Sequence, residues 1–379
     1  MKVLHIGTLD VNAGGPAMST YLTLKGLRDG GVDAELAMFP LSPGGRLRGE
    51  DVPVNYIKPY KEGKFRYSPS LKKEVVDMGY YDIYHAQGVW QYPTYAIVDV
   101  AKKNHKPYLI TPRGMLYPQD ILKSNTLLKK LSLKWRLLND LNHAACIHVT
   151  CEEEMRYCRD LGVTSPIAII PNPVEIKDYR FKKEDDKFRL GYLGRLSRRK
   201  NVEGLINAFC ELGSEAKKAE LLIIGGGDVE YEKYLQQLVE INNLSNVRFT
   251  GFLSGEEKDN AIASCSVLAM PSEFENLGNV VLEGLVRSIP CIATTGSPWK
   301  ELKTYNCGWW VPYSQKDITN AVRCALNAPQ DMLDVMGKNG RLLMEKNYSV
   351  SIIGSKMKHL YKWILGEANK PDFVYEQND

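Results

Sequence analysis

The sequence predicts an α/β protein made of two doubly wound, Rossmann-like domains. Three stretches favour this fold class, because each begins with an apolar run typical of a buried strand and continues through a turn into a helix-like pattern. These stretches are residues 2–28, 188–212 and 267–285. The last leads directly into a second apolar run, 289–296, so strand, loop, helix and strand follow one another as in a parallel sheet.

The domain boundary is predicted at residues 167–174, where an apolar run ends in two prolines. This gives a first domain over 1–170 and a second over 171–349. A helix is predicted over 350–365, followed by a polar tail over 366–379. The length of 379 residues is sufficient for two domains.

Composition excludes several classes of protein. Apolar residues make up 44% and charged residues 25%, as is ordinary for a soluble enzyme. No run approaches the ~20 apolar residues that span a bilayer, and the first apolar run is too short for a signal peptide. The net charge of +4 is too small to indicate nucleic acid as a partner.

The eight cysteines are scattered and form no C-x-x-C pair. Neither a zinc ribbon nor a disulfide framework is indicated, so we expect reduced thiols in a cytoplasmic protein. No cluster of carboxylates suggests a metal site, and no cofactor is expected.

The loop that follows residues 267–270 carries the main functional prediction. Amides of Leu277, Gly278 and Asn279 stand where a helix begins and could bind an anion. Glu275 and Glu283 flank them, roughly 10 Å apart along the helix. That spacing suits a nucleotide diphosphate sugar, with a central anion and a hydroxyl-rich group at each end. The alternative is an N-capped surface helix with two solvated glutamates.

These residues resemble a known family. Residues 275–283 match the E-x7-E motif of retaining glycosyltransferases of the GT4 family, which have the GT-B fold. Flanking residues also fit the family: Pro271, Ser272, Gly278, Pro290, Ala293 and Thr294. The resemblance implies two Rossmann-like domains facing a cleft, with the helix over 350–365 packing back on the first domain. It also implies that Glu275 holds sugar hydroxyls, that Glu283 holds the ribose, and that Asn276 lies in the donor site.

Two cations stand between the strand over 188–193 and the helix that follows it. Arg195 and Lys200 could both reach a diphosphate, which would explain cations at a helix start that the helix dipole disfavours. The alternative is a mismatched helix terminus without a ligand. In the family that this chain resembles, the matching Arg and Lys neutralise the leaving group without a metal ion.

Glycine-rich turns supply further candidates for the donor site. Gly14 and Gly15 allow close approach of the backbone before a helix, although a tight turn without a ligand is the alternative. The resemblance places them near the donor phosphates. It also places backbone groups near Phe252 and Leu253 against the nucleotide base.

Three polar residues follow strands in the first half of the chain. His85 could contact substrate as a catalytic residue, or it could be a satisfied core histidine. Many relatives carry a second histidine where this chain has Gln87. Arg113, in a Pro-Arg-Gly-Met-Leu sequence that a subset of the family shares, could hold a phosphate or carboxylate of the acceptor. Its alternative is a surface arginine paired with a local acid.

An amphipathic helix is predicted over residues 127–141. Leu127, Leu131, Trp135 and Leu138 share one face, and no acidic residue occurs over 123–138, which holds five basic residues. The interpretation that we prefer is a helix whose apolar face turns to the core. The alternative is peripheral contact of residues 123–138 with an anionic membrane, such as the inner membrane face.

The function predicted from the sequence is transfer of a hexosyl unit from a nucleotide sugar to a saccharide or lipid-linked acceptor, in polysaccharide or glycolipid biosynthesis. A nucleotide-sugar epimerase or hydrolase on the same fold remains an alternative. So does a non-catalytic protein that binds nucleotide sugar, because Gln87, Asn276 and Pro173 depart from the family pattern.

Overall fold

The computed structural model describes residues 1–47, 49, 51–59, 63, 65–179 and 187–377. The strands, in chain order, are β1 Lys2–Ile6, β2 Asp33–Met38, β3 Val54–Tyr56, β4 Ile83–Gln87, β5 Tyr108–Thr111, β6 Cys146–Val149, β7 Ile167–Ile169, β8 Arg189–Leu193, β9 Glu220–Ile224, β10 Val247–Gly251, β11 Val267–Met270, β12 Cys291–Thr294, β13 Gly308–Val311 and β14 Val374–Tyr375.

The α-helices are α1 Gly15–Asp29, α2 Leu71–Asp77, α3 Tyr92–Lys103, α4 Pro118–Lys123, α5 Thr126–Ser132, α6 Leu138–Asn142, α7 Glu152–Asp160, α8 Val202–Leu212, α9 Val229–Ile241, α10 Gly255–Ala263, α11 Asn279–Leu285, α12 Glu301–Thr304, α13 Gln315–Leu326, α14 Gln330–Leu343 and α15 Val350–Ile364. A π-helical turn, Leu133–Leu137, joins α5 directly to α6. None of the helices in the described residues is long and apolar enough to cross a membrane.

The chain divides into two units. The first comprises Met1–Pro173 with Tyr348–Asp379, and the second comprises Val174–Asn347. The sheet of the first unit has the order β14-β7-β6-β5-β4-β1-β2-β3, and all its pairs are parallel except β14 with β7. The strand β14 lies in the segment that we predicted to be a polar tail. The sequence did not indicate this strand, because a pairing of only two residues leaves no alternating pattern of apolar and polar residues. The last two residues of that tail lie outside the described residues.

The sheet of the second unit has the order β10-β9-β8-β11-β12-β13, and all its pairs are parallel. Renumbered from β8, this order is that of the doubly wound dinucleotide-binding fold, and the first unit repeats it from β3 to β6. The strands are built largely of buried apolar residues, because helices cover both faces of such sheets. Both predicted Rossmann-like domains are thus confirmed.

The helix α15 belongs to the first unit, where it packs on α1 through two glycines. A Cβ atom added to Gly26 would lie 2.5 Å from the carbonyl oxygen of Val350, and one added to Gly354 would lie 2.4 Å from that of Gly26. No larger residue fits at this crossing without moving the helices. Tyr361, further along α15, is fully buried and reaches the centre of the first sheet.

The segment from α5 to α6 differs from the orientation that we preferred. Leu127, Leu131 and Trp135 are 71%, 38% and 77% exposed, so three of the four residues of the predicted apolar face point to solvent. The fourth, Leu138, is partly buried and packs against the core of the first unit, as predicted. The inward face instead presents Leu137, which is buried, and Arg136, which pairs with acids on α3 and α6. Periodicity identifies residues that share a face, but neighbouring side chains decide which face turns inward.

Candidate active site

The candidate donor site lies where the strand order of the second unit reverses. The strands β8 and β11 are neighbours there, and the chain leaves them toward opposite sides of the sheet. Loops at the carboxyl ends of such strands enclose a crevice, which is where ligands bind in open α/β sheets. The loop after β8 carries Arg195 and Lys200, and the loop after β11 carries Glu275.

Glycines hold the loops after β8 and β9 in close contact. A Cβ atom on Gly225 would lie 1.9 Å from the carbonyl oxygen of Gly194, and one on Gly227 would lie 2.3 Å from that of Leu196. The amide of Leu196 donates to the carbonyl of Gly226 over 3.1 Å. The Gly-rich turn after β9 therefore fixes the backbone of the loop that presents Arg195.

The loop after β11 is fixed by the loop after β12. The amide of Glu275 donates to the carbonyl of Gly296 over 2.7 Å, and the indole N–H of the fully buried Trp299 donates to the carbonyl of Leu277. Gly278 has φ of +77°, and a Cβ atom there would lie 2.5 Å from the sulfur of Met270. A non-glycine residue at 278 would be both strained and crowded.

Lys200 and Glu275 form an ion pair through the Lys200 Nζ and Glu275 Oε1 atoms, with side chains 17% and 9% exposed. Two residues that we assigned to different parts of the donor are therefore in direct contact with each other. Arg195 is exposed, and its side chain makes no ion pair within the described part of the chain. A cation held in place by a carboxylate, in the same loop as an exposed guanidinium, is a suitable site for a diphosphate.

Glu283 is also paired, with Lys258 of α10, and the two side chains are 28% and 27% exposed. Sequence reasoning missed Lys258, which lies 25 positions earlier in the chain on another helix, with no pattern that connects it to Glu283. Phe252, at the end of β10, is 75% exposed, so its ring is open to a planar ligand. Leu253 follows it in the same loop and is partly exposed.

Other predicted donor residues lie at helix starts. Gly14 has φ of +66° and precedes α1, which begins at Gly15. Nothing lies within 4 Å of a Cβ atom added to Gly14, so its backbone conformation rather than crowding selects glycine. Asn276 and Asn279 each have an interaction partner. Gly278, with its left-handed backbone, caps α11.

Arg113 is half-buried and uses all its donors on neutral acceptors. It donates to the side-chain oxygens of Gln87, at 2.7 and 3.1 Å, of Ser19, at 2.7 Å, and of Asn172 and Thr20, at 3.2 and 3.3 Å. Burial lowers the pKa of Arg113 to about 10, so it stays charged at neutral pH. Its predicted contact with an acceptor would require one of these hydrogen bonds to open.

His85 is fully buried and both of its ring nitrogens have protein partners. The Nδ1 atom lies 2.7 Å from the hydroxyl of Tyr361, and Nε2 lies 2.7 Å from the hydroxyl of Thr111. These contacts are those expected of a core histidine whose hydrogen bonds are satisfied, which was the alternative to a catalytic role. A catalytic role for His85 stays a prediction.

A hydrogen-bond chain passes through His85 in one direction. At one end the side-chain NH2 group of Gln87 donates to His5 Nδ1 over 3.1 Å. The side-chain oxygen of Gln87 already accepts from Arg113, so the NH2 group is the one that faces His5. At the other end His148 Nε2 donates to the carbonyl of Ile170 over 2.8 Å. Five side chains are therefore linked so that each donates a hydrogen bond to the next, in the order His5, Tyr361, His85, Thr111 and His148.

This direction fixes all three histidines as neutral Nε2–H tautomers. A second proton on any of them would remove an accepted hydrogen bond and place a charge in the core. Burial, with the charge of Arg113, lowers the pKa of His5 to about 3. Burial lowers the pKa of His148 to about 4 and that of His85 well below its usual value.

No group of three or more metal-ligating side chains occurs in the described ranges of the chain. All eight cysteines are free thiols. The polar groups of the candidate donor site are thus cations, carboxylates and backbone amides. They are the groups that bind phosphates and sugar hydroxyls.

The fold and this site define the class of a GT-B glycosyltransferase. The chain belongs to the GT4-type glycosyltransferases. The family described as "Glycosyl transferases group 1" matches residues 175–343, and the "Glycosyl transferase 4-like domain" matches residues 14–173. The two matches together cover most of both units.

Curated relatives match part of this chain. The alpha-D-kanosaminyltransferase of Streptomyces kanamyceticus is 28% identical over 48% of this chain and 47% of its own length. A GDP-mannose-dependent monoacylated alpha-(1-6)-phosphatidylinositol monomannoside mannosyltransferase of Corynebacterium glutamicum is 28% identical over 50% of this chain and 55% of its own. The chain spans about half the length of these relatives.

A solved structure shows the same fold over nearly the whole chain. The crystal structure of Anabaena Alr3699/HepE in complex with UDP and glucose has a TM-score of 0.75 and 18% sequence identity, covering 94% of this chain and 98% of that protein. Sucrose-phosphate synthase from Thermosynechococcus elongatus has a TM-score of 0.73 at 21% identity, covering 97% and 100%.

Proposed function

We propose that the protein transfers a hexosyl unit from a nucleotide diphosphate sugar to an acceptor hydroxyl with retention of anomeric configuration, in polysaccharide or glycolipid biosynthesis. The observation that carries the proposal is the Lys200–Glu275 ion pair, with the exposed Arg195 in the same loop as Lys200, at the switch point of a Rossmann-like sheet. Relatives that act on kanosaminyl and mannosyl groups support a sugar donor.

The diphosphate would bind Arg195 and Lys200. Its negative charge would compete with Glu275 for the Lys200 ammonium, and the freed carboxylate could then accept hydrogen bonds from sugar hydroxyls. Glu283 would exchange part of its contact with Lys258 for ribose hydroxyls. Two cations on the leaving phosphate would make the reaction independent of a metal ion and of any cofactor.

In the proposed reaction the bond from the anomeric carbon to the phosphate oxygen breaks and a bond to the acceptor oxygen forms. The acceptor attacks from the side on which the phosphate leaves, and that phosphate takes the acceptor proton. Arg195 and Lys200 stabilise the charge that develops on the phosphate. Gly14 and Gly15 are proposed to give the acceptor and donor access to the loop after β1.

The acceptor is proposed to be a saccharide or a lipid-linked saccharide. In the first unit Arg113 donates a hydrogen bond to the side-chain oxygen of Gln87. Gln87 is therefore proposed to orient the side chains around it rather than to exchange protons. The free thiols support work in a reducing, cytoplasmic compartment.

Arg195→Ala tests the site. We expect it to weaken binding of UDP or GDP about ten-fold or more in calorimetry, because an Arg–phosphate contact is charge-assisted. Arg198→Ala is the matched control, since the Arg198 guanidinium lies over the Tyr231 and Tyr234 rings. Equal affinity for the diphosphate in both variants would overturn the assignment.

Turnover with a supplied acceptor separates the alternatives. Transfer should persist in excess EDTA, and loss of transfer that magnesium or manganese restores would contradict metal independence. Free sugar formed at full rate without acceptor would identify a hydrolase, and interconversion of the donor sugar would identify an epimerase. Diphosphate binding without any turnover would identify a non-catalytic protein.

A further inference from the structure

The outward face of the segment from α5 to α6 is apolar. Leu127 is 71% exposed, Leu128 66% and Trp135 77%, and Leu122 of the preceding α4 is 61% exposed. Leu131, which lies one turn from both Leu127 and Trp135, is 38% exposed. Large apolar side chains exposed singly are common, but a row of them along one helix marks an interaction surface.

The inward face of the same segment is held firmly. Arg136 forms ion pairs with Asp99 of α3, at 2.6 Å, and with Asp140 of α6, at 3.1 Å. The hydroxyls of Ser132 and Tyr95 lie 2.8 Å apart. These contacts, together with the buried Leu137, set the rotation of the helix. The apolar row therefore points outward because the other face is the one that is anchored.

Lysines border the apolar row. Lys123, Lys130 and Lys134 are exposed and pair with no acid in the described parts of the chain, and residues 121–139 contain no Asp or Glu. Lys129 is different, since its ammonium donates to the carbonyl of Asp120 and lies 5.9 Å from the Trp90 ring. The surface thus combines exposed apolar side chains with an uncompensated positive charge.

We propose that this surface, Leu122, Leu127, Leu128, Leu131 and Trp135 with their bordering lysines, docks on an anionic lipid membrane. The inference deepens the proposed function, because it selects an acceptor presented at a lipid surface. A helix with this pattern lies in the plane of the interface, its apolar side chains ~5–10 Å into the boundary of headgroups and acyl chains. Trp135 would lie at headgroup level, where tryptophan is enriched.

Charge selects this occupant over a second copy of the chain. Two copies meeting through this face would bring the same lysines together, which like charges oppose. Anionic headgroups instead attract each lysine, strengthening binding about five-fold per residue. The attraction extends ~10 Å at 0.1 M salt and ~3 Å at 1 M, so binding should be reversible and sensitive to salt.

The test is sedimentation of the full chain with vesicles of phosphatidylcholine alone or with phosphatidylglycerol added. We expect binding to the anionic vesicles only, and a shift of Trp135 fluorescence to shorter wavelength that Trp135→Phe removes. Lys130→Glu with Lys134→Glu should weaken binding at least 25-fold, since two attractive charges become repulsive. Trp135→Glu should also abolish it.

Matched controls lie on the second unit. Ile241 is as exposed as Trp135, at 77%, so Ile241→Glu tests loss of an exposed apolar side chain elsewhere. Lys217→Glu with Lys218→Glu makes the same change in charge. Both controls should bind anionic vesicles as the parent chain does.

Three outcomes would overturn the docking surface: equal binding to both kinds of vesicle, no effect of the surface substitutions, or self-association without vesicles that Trp135→Glu removes. UDP binding, measured by calorimetry in the same variants, reports the second unit separately. Failure of vesicle binding with intact UDP binding would reject the docking surface and leave the transferase proposal standing.

Discussion

Acidification should destabilise the first unit alone, because its core holds three neutral histidines. His5, His85 and His148 have pKa values far below the usual 6.5 in the folded state and regain that value on unfolding. Below pH 6.5 the unfolded chain therefore binds protons that the folded chain does not. Stability must fall with pH through the window from about 6.5 down to about 4.

The size of the effect follows from the number of histidines. At pH 5.5 each unfolded histidine gains about 1.4 kcal/mol from its proton, and at pH 7.5 about 0.1. The three together lower the free energy of unfolding of the first unit by about 4 kcal/mol. With a urea dependence of about 2 kcal/mol per M, its midpoint should fall by about 2 M.

Glu154 acts in the opposite direction. Burial raises the pKa of its carboxyl, although hydrogen bonds from Thr150 and Gly114 and the charge of Arg113 act to lower it. A group with a raised folded pKa binds a proton more readily when folded, so it adds stability as pH falls. The histidines outnumber this single carboxyl, and the net change should remain destabilising.

The second unit supplies an internal control, because all six histidines of the chain lie within 1–173 and 348–379. Hydrogen exchange in increasing urea, read by mass spectrometry, measures both units in one sample. The reasoning would be refuted if the two units lost equal stability between pH 7.5 and 5.5. It would also be refuted if the three histidines titrated near 6.5 in NMR spectra, or if their spectra showed Nδ1–H tautomers.

Three further substitutions have expected outcomes. Tyr361→Phe removes the hydroxyl that accepts a hydrogen bond from His5 and donates one to His85, so the free energy of unfolding should fall by about 2–4 kcal/mol in thermal or urea denaturation. An unchanged midpoint would contradict this hydrogen-bond chain. Gly26→Ala should cost about 1–3 kcal/mol, because the helices α1 and α15 must separate, and a stabilised variant would show that the crossing is looser than described. Lys258→Met should raise KM for the donor with little change in kcat, whereas Lys258→Arg should restore KM. The free energy of unfolding should change by under 1 kcal/mol in the Met variant, because the ion pair between Lys258 and Glu283 is partly solvated. A normal KM in the Met variant would make the pair irrelevant to the donor.

The fold was predictable because its signals are local. The stretch from β11 to β12 contains two apolar runs, a turn with Gly278 and a helix, and each is recognisable within about thirty residues. Boundaries of the short strand β14 and of the π-helical turn after Ser132 were not predictable. Both depend on contacts with distant parts of the chain rather than on composition.

The candidate site was predictable as a set of residues, but its pairings were not. Glu275 and Lys200 were assigned to one ligand from separate motifs, whereas their mutual ion pair depends on β8 and β11 being neighbours. The same holds for His85, since only the arrival of Tyr361 from α15 shows how its ring is used. Periodicity could place Leu127 and Trp135 on one face, but it contained no information on which way that face points.

The return of α15 to the first unit has a consequence for the order in which the chain folds during synthesis. Domains usually fold as they emerge from the ribosome, N-terminal first. Here the second unit is one continuous segment, 174–347, while the first needs residues from 348 onward. A nascent chain that has reached residue 347 therefore holds a complete second unit and an unfinished first one. Until Gly354 and Tyr361 emerge, the surface of α1 at Gly26 stays uncovered and His85 lacks one of its two hydrogen-bond partners. The unit that contains the start of the chain is therefore the last to complete its fold.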